Sequence, residues 1–328
     1  MHKESQTKQQ TTQRIQKMLN AELIPHSQTD LSVVNIARVS FNKQADTFND
    51  KRDRKLISYL AKHRHISPFF HQRFAFKGVY IDLHNLMQDE ALHMGFIYDR
   101  ENDIYQHSFY GWVNLLTHPE HSINIFPFKD DADAVTAMLI EKMPVSSAAY
   151  GLEYPTITGS QQHQPELVDE ESLPDAMKTV SMRLTAPIFV MRQMFTHRRF
   201  ATNEVSRRYV DTLPELYSPT SWRKRPDASI KQGSGGTTTR DTQVAADKLK
   251  SVTYSTAFNA YKQLLDMGIA PEQARMVLPQ SMVTQAIFTG SVDAWLKMLN
   301  LRLDSHAQAE TRELAQLIEQ QLANATGA

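Results

Sequence analysis

The chain contains no cysteine. Whatever it folds into can use no disulfide, no thiolate-bound zinc and no iron–sulfur cluster. Its stability must come from buried apolar surface, and 328 residues at 41% hydrophobic content suffice for one large domain or two ordinary ones. The same absence removes every cysteine nucleophile, so any chemistry belongs to other side chains or to a bound cofactor. Lys and Arg together number 36, as do Asp and Glu. Nothing global therefore attracts nucleic acid or membrane, and an anion site has to be local. The opening MHKESQTKQQTTQRIQ has no apolar core of a secretory signal. No apolar run approaches the ~18 residues of a membrane span. The expected compartment is the cytoplasm.

Hydrophobic periodicity gives a coarse map. Residues 1–20 read as a polar tail or weak terminal helix. A helical period begins at Lys51, with Leu56, Ile57 and Leu60 apolar and Lys51, Arg52 and Arg54 solvated. His71–Val79 has strand character through Phe74 and Phe76. An amphipathic helix over 81–94 runs through Leu83, Leu86, Met87, Ala91 and Met94. Residues 95–175 look irregular apart from a helix near 131–142. Thr179–Leu184 reads as a strand and Pro187 as a helix start, with Ile188, Met191 and Phe195 as the buried stripe. A polar, arginine-rich loop follows at His197–Tyr209. Gln232–Thr239 is glycine-rich without the spacing of a phosphate-binding loop. One long helix fills about 242–267 and stops at Gly268; another is expected over about 291–323. The class is α+β, with helices dominant.

Three stretches carry chemistry. In Thr196–Val210, THRRFATNEVSRRYV, four arginines (Arg198, Arg199, Arg207, Arg208) crowd a loop with Asn203, Glu204 and Ser206. Arginine forks bind phosphate in bidentate fashion, so this is either a nucleotide site or a solvated basic surface. Trp295, Leu299, Arg302 and His306 recur at helical spacing, which sets Arg302 beside an apolar stripe. A guanidinium there wants an anion, either a protein carboxylate or a ligand. Lys62–His71, KHRHISPFFH, holds three histidines whose spacing does not gather them on one helical face. Glu90 and His93 form a single E-x-x-H pair, with no clear second copy. No metal site is expected. Tyr105, Phe109, Tyr110 and Trp112 read as packing rather than as a ring-stacking platform.

Taken together, ARVSFN (Ala37–Asn42), KRDRKLISYLAKHRHISPFFH, APIFVMRQMFTHRRFATNEVSRRYV, ARMVLP and LNLRLDSHAQAE occur in one order. In that order they resemble the flavin-dependent thymidylate synthases. The family signature is Arg-His-Arg, seven residues, then Ser; here it is Thr196-His197-Arg198 and Ser206. The resemblance covers 31–79 and 180–322. It implies a helix-rich α+β fold with an antiparallel or mixed sheet and long helices, not a Rossmann domain. It also implies a single catalytic domain over 21–328, interrupted by an insertion at about 80–178.

The implied reaction is reductive methylation of dUMP to dTMP. Methylenetetrahydrofolate gives the carbon, FAD is the cofactor and NADPH the reductant. The resemblance further implies a homotetramer with sites between subunits. It suggests dUMP contacts at Gln193, Glu204, Ser206, Arg207, Arg208, Arg275 and Arg302, with Arg302 the catalytic group that polarises the pyrimidine. It suggests FAD contacts at Ser40, His65, Ser67, His197, Arg198, Glu204, Ser291, Lys297 and His306.

This chain departs from the family pattern at Thr196, in place of the first signature arginine, and at Ala201, Ser291, Lys297 and Phe70. Lys297 could restore the charge missing at Thr196. Two other outcomes follow from an altered flavin environment: a product left hydroxymethylated, or a nucleotide-binding homologue without catalysis.

Overall fold

The computed structural model describes residues 18–88, 95–117, 125–156, 164–226 and 233–327. The Glu90/His93 pair and most of the N-terminal tail lie outside the described residues. Residues 18–20, expected in the tail, belong to the fold: Met18 and Leu19 are buried, and Asn20 opens strand β1 (Asn20–Ile24).

Two four-stranded antiparallel sheets organise the chain. The first has β6 (Thr179–Pro187) and β8 (Val283–Ser291) at its centre, paired from Thr179↔Ser291 to Pro187↔Val283. β1 flanks β6, with Asn20 opposite Thr185, and β7 (Ala201–Glu204) flanks β8. An antiparallel sheet of this order is no Rossmann sheet, in which the strands run parallel. Its apolar face packs on three helices: α7 (Ile188–Met194), α10 (Val292–Arg302) and α11 (Ala309–Thr326). Met182, Leu184, Phe288, Trp295, Leu314 and Ile318 form that core. Burying the Trp295 ring is affordable because its indole N–H donates to Val180 O at 3.0 Å.

The second sheet has the order β3-β4-β2-β5. In β2 (Arg73–Lys77) the side-chain period of two sends Phe74 and Phe76 into one core and Ala75 into a small cluster with Ile104, Leu173 and Met177. The larger core takes Val33 and Val34 from α1 (Asp30–Val39) and Ile57 and Leu60 from α2 (Asp50–Lys62). Trp112 is fully buried in it and donates to Phe74 O at 2.9 Å.

The segment 80–178 is the body of this second unit. It supplies β3 (Ile97–Asp99), β4 (Ile104–Ser108) and β5 (Glu166–Val168). Its helices include α3 (Leu83–Gln88), α4 (Phe109–Thr117), α5 (Lys129–Lys142) and α6 (Pro144–Ala149). The expectation of irregular structure over 95–175 fails at β3, β4 and α4. β4 is buried on both faces, and its Gln106 side chain is satisfied inside: it donates to Met177 O and accepts from Arg73. That removes the alternation by which a half-buried strand is read. Asp30 ties the segment to α1, its carboxylate accepting from the backbone of Val145 and Ser146, each at 2.9 Å.

A buried histidine joins the two units. His71 Nδ1 contacts Thr289 Oγ1 at 2.7 Å and its Nε2 contacts Asn203 Oδ1 at 3.3 Å. Burial pushes its pKa down to about 3, so the ring is neutral.

Two helix expectations need correction. The helix over 291–323 is two helices. Asp304 accepts from His306 N at 2.7 Å and from the His306 ring at 2.8 Å, a local turn that competes with the helical ladder and ends α10 at Arg302. His306 therefore does not continue the Trp295–Arg302 stripe. In α7 the buried side chains are Val190, Met191 and Met194, rather than Ile188 and Phe195. The other long helix, α8 (Arg240–Asp266), matches its expectation, and Gly268 follows it with φ +81°.

Candidate functional site

The arginine-rich stretch is not all loop. Ala201–Glu204 forms β7, a strand of small and polar residues that pairs with β8 along the rim of the first sheet. From there the chain turns at Ser206, whose backbone N–H donates to Ser40 O at 3.1 Å. Ser40 Oγ donates in turn to Glu204 O at 3.3 Å. The end of α1 is thereby fixed against the end of β7, and a cavity of about 880 Å³ opens between them. That is within the usual size of a small-molecule site.

Ser40, His65, Ser67, Glu204, Ser206, Arg207, Arg208 and Arg275 all line this cavity. Four separated segments of sequence thus meet there. Glu204 is its half-buried carboxylate: its Oε1 accepts from Thr284 Oγ1 at 2.7 Å. Burial pushes this carboxyl up, against the Thr284 bond and the nearby charge of Arg275. Arg208 donates to Glu272 at 3.2 Å and Arg275 to the Glu272 backbone O at 3.2 Å, so a carboxylate and a carbonyl steady the two cations. Both remain exposed, and this pair adds little stability. Guanidinium groups steadied at a cavity wall beside serine hydroxyls suit a phosphate monoester.

Sequence reasoning missed the aromatic rim. Phe41 and Tyr209 stack with centroids 4.8 Å apart, and Tyr59 lines the same cavity. Arg208 lies over the Tyr209 ring at 5.6 Å. The signal was adjacency alone, since Phe41 follows Ser40 and Tyr209 follows Arg208.

Arg302, Gln193 and His197 gather elsewhere. Arg302 Nη2 donates to Gln193 O and to Thr196 Oγ1, each at 2.8 Å, and its Nε donates to His197 Nε2 at 2.9 Å. No carboxylate takes part among the described residues. The Gln193 side chain donates to Gln308 Oε1 at 2.7 Å. Burial pushes the His197 pKa down, helped by the Arg302 charge. Arg198 and Ser291 line a separate cleft of about 860 Å³, together with Arg199 and Asp293. Ser291 also caps α10, accepting from Ala294 N at 3.3 Å. Lys297 is exposed and bonded to Asp293 at 2.6 Å. Asp293 also holds Arg199 at 2.9 Å, so Lys297 and Arg199 share this carboxylate. His306 borders a third hollow with Arg223 and Arg312.

One chain thus brings together the predicted residues of the cavity and those around Arg302 as two groups, with Arg198, Ser291, Lys297 and His306 outside both. Among the described residues, no cluster of His, Asp and Glu could hold a metal ion, and no helix is long and apolar enough to cross a membrane. Tyr105, Phe109 and Trp112 are buried in packing.

Residues 172–326 match a family profile described as "Thymidylate synthase complementing protein". The flavin-dependent thymidylate synthase of Aquifex aeolicus (strain VF5) is 30% identical over 315 residues, covering 89% of this chain and 93% of its own. That of Kosmotoga olearia is 43% identical over 129 residues, covering 39% of this chain and 56% of its own. Among solved structures, the UMP/dUMP methylase PolB from Streptomyces cacaoi, bound with 5-Br dUMP, has a TM-score of 0.43 at 22% identity, over 93% of this chain and 90% of that chain.

Proposed function

This chain belongs to the flavin-dependent thymidylate synthase family, and we propose that it converts dUMP to dTMP with methylenetetrahydrofolate as carbon donor and NADPH as reductant. The observation that carries this reading is the cavity in which Ser206, Arg207, Arg208 and Arg275 converge beside Glu204. Arg208 and Arg275 hold the phosphate of dUMP, Ser206 hydrogen-bonds to it, and Glu204 accepts from a ribose hydroxyl or the base. Arg302 polarises the pyrimidine, and Gln193 orients it. The chain has no cysteine to attack the pyrimidine ring. A route without thiolate addition is the one this composition allows.

Part of the set expected to hold FAD suits a flavin dinucleotide, in two separate places. Ser40, His65 and Ser67 offer hydroxyls and an imidazole at the cavity. The Arg198 guanidinium, which has no hydrogen-bond or ion-pair partner among the described residues, faces the second cleft and suits a diphosphate. Bound FAD supplies the redox chemistry that the side chains lack. These groups are apart on one chain, and so is Arg302. That supports a homotetramer in which each active site is completed by residues from more than one subunit.

The test is anaerobic incubation of FAD-reconstituted protein with dUMP, methylenetetrahydrofolate and NADPH, with mass spectrometry of the nucleotide. A methylated product is expected, lost by roughly a hundred- to a thousandfold in Arg302→Ala. A hydroxymethylated nucleotide, or unchanged dUMP with FAD bound, overturns the reading.

A further inference from the structure

Position 196 is a threonine where the family signature has arginine, and its surroundings give that difference a purpose. Thr196 Oγ1 donates to Gln193 O at 2.7 Å and accepts from Arg302 Nη2 at 2.8 Å. The same carbonyl accepts from Arg302 Nη2 at 2.8 Å, which closes a three-membered ring of hydrogen bonds. A hydroxyl can fill this place because it donates one proton and still accepts; a guanidinium only donates. An arginine at 196 would also set a second cation against Arg302. On the other edge, Arg302 Nε donates to His197 Nε2 at 2.9 Å, which fixes the His197 proton on Nδ1. Nε and Nη2 of Arg302 are committed to three acceptors. Nη1 has none among the described residues.

We infer that Thr196 is a positioning residue, which clamps the Arg302 guanidinium so that its Nη1 edge is presented to the substrate in one fixed orientation. The inference rests on the reading of Arg302 as the group that activates the pyrimidine. It assigns the hydroxyl a part that the family's arginine cannot play, and it makes the departure at Thr196 compatible with full activity. Thr196 itself is exposed, so replacing it perturbs the clamp without opening a core.

Two readouts test it on the FAD-reconstituted enzyme: steady-state kinetics with dUMP, and the rate at which phenylglyoxal labels Arg302, followed by peptide mass spectrometry. Thr196→Val keeps the shape and removes the acceptor. It should lower kcat about tenfold, as expected for one lost charge-assisted bond, with KM for dUMP little changed. Arg302 in that variant should be labelled severalfold faster, and Thr196→Ser should restore both values. Unchanged labelling in Thr196→Val removes the clamp. Faster labelling with undiminished or raised kcat removes its positioning role, as does a Thr196→Ser variant as impaired as Thr196→Val. Labelling is read without turnover, so a wild-type enzyme inert toward dUMP would instead show that the reading of Arg302 had failed and taken this inference with it.

Discussion

Acid should weaken this fold through His71, and the size of the effect can be worked out. The ring is 2% exposed and binds Thr289 and Asn203, with its pKa pushed down to about 3. In the unfolded chain the same ring titrates near the ordinary 6.5 of histidine. Below that value the unfolded state takes up a proton that the folded state refuses. The stability due to a neutral His71 is therefore complete above about pH 6.5 and is lost progressively as pH falls toward 3. Each pH unit inside that window costs about 1.4 kcal/mol, and going from pH 7 to pH 5 removes about 2 kcal/mol. Against a total of roughly 5–15 kcal/mol for a folded protein, this is a large fraction. Urea unfolding of wild type and His71→Gln at the two pH values isolates the term. The variant should be less stable at pH 7, by about 1–3 kcal/mol for hydrogen bonds remade imperfectly. It should also lose about 2 kcal/mol less than wild type on acidification. Equal losses in the two proteins would refute the reasoning, because the acid-labile group would then lie elsewhere.

Other outcomes follow from single contacts. Arg275→Ala should weaken dUMP binding by about tenfold or more, the usual scale for a lost hydrogen bond between charged groups, measured by calorimetry. Gly111→Ala should destabilise the protein by about 1–3 kcal/mol despite alanine's better helix propensity, because the new methyl would run into the buried His107 ring; chemical denaturation checks it. Trp112→Phe leaves Phe74 O without its indole donor, at a cost of about 1–3 kcal/mol in the same assay.

Much of the fold was legible where one physical signal acted alone. The long helix ending at Gly268, the start of a helix at Pro187 and the alternation of Phe74 and Phe76 were read correctly, since local geometry and burial agreed there. The split at Asp304 was not, because a carboxylate turning back on His306 leaves the apolar period intact on both sides. β4 escaped notice because polar residues, Gln106, His107 and Ser108, occupy a strand buried on both faces. β7 escaped because Ala201, Thr202, Asn203 and Glu204 look like loop, yet the ladder to β8 makes them a strand. The site divided in the same way. The cavity residues come from four separated segments, so only the family resemblance could gather them before the structure did. Nothing in the sequence said that Arg302 would find its partners in a carbonyl, a hydroxyl and an imidazole rather than a carboxylate.

The strand pairing also sets an order of events during synthesis. Asn20 must wait for Thr185, and Ser181 for Thr289, so the first sheet closes only after Val283–Ser291 has left the ribosome. The larger core of the second unit is drawn from a continuous run between Val33 and Leu167. It can collapse while β1 is still unpaired, and closing loops that long is slow. A nascent chain of this protein thus carries Asn20–Ile24 unpaired until Thr179–Pro187 has emerged, the stage at which a chaperone has the most to protect.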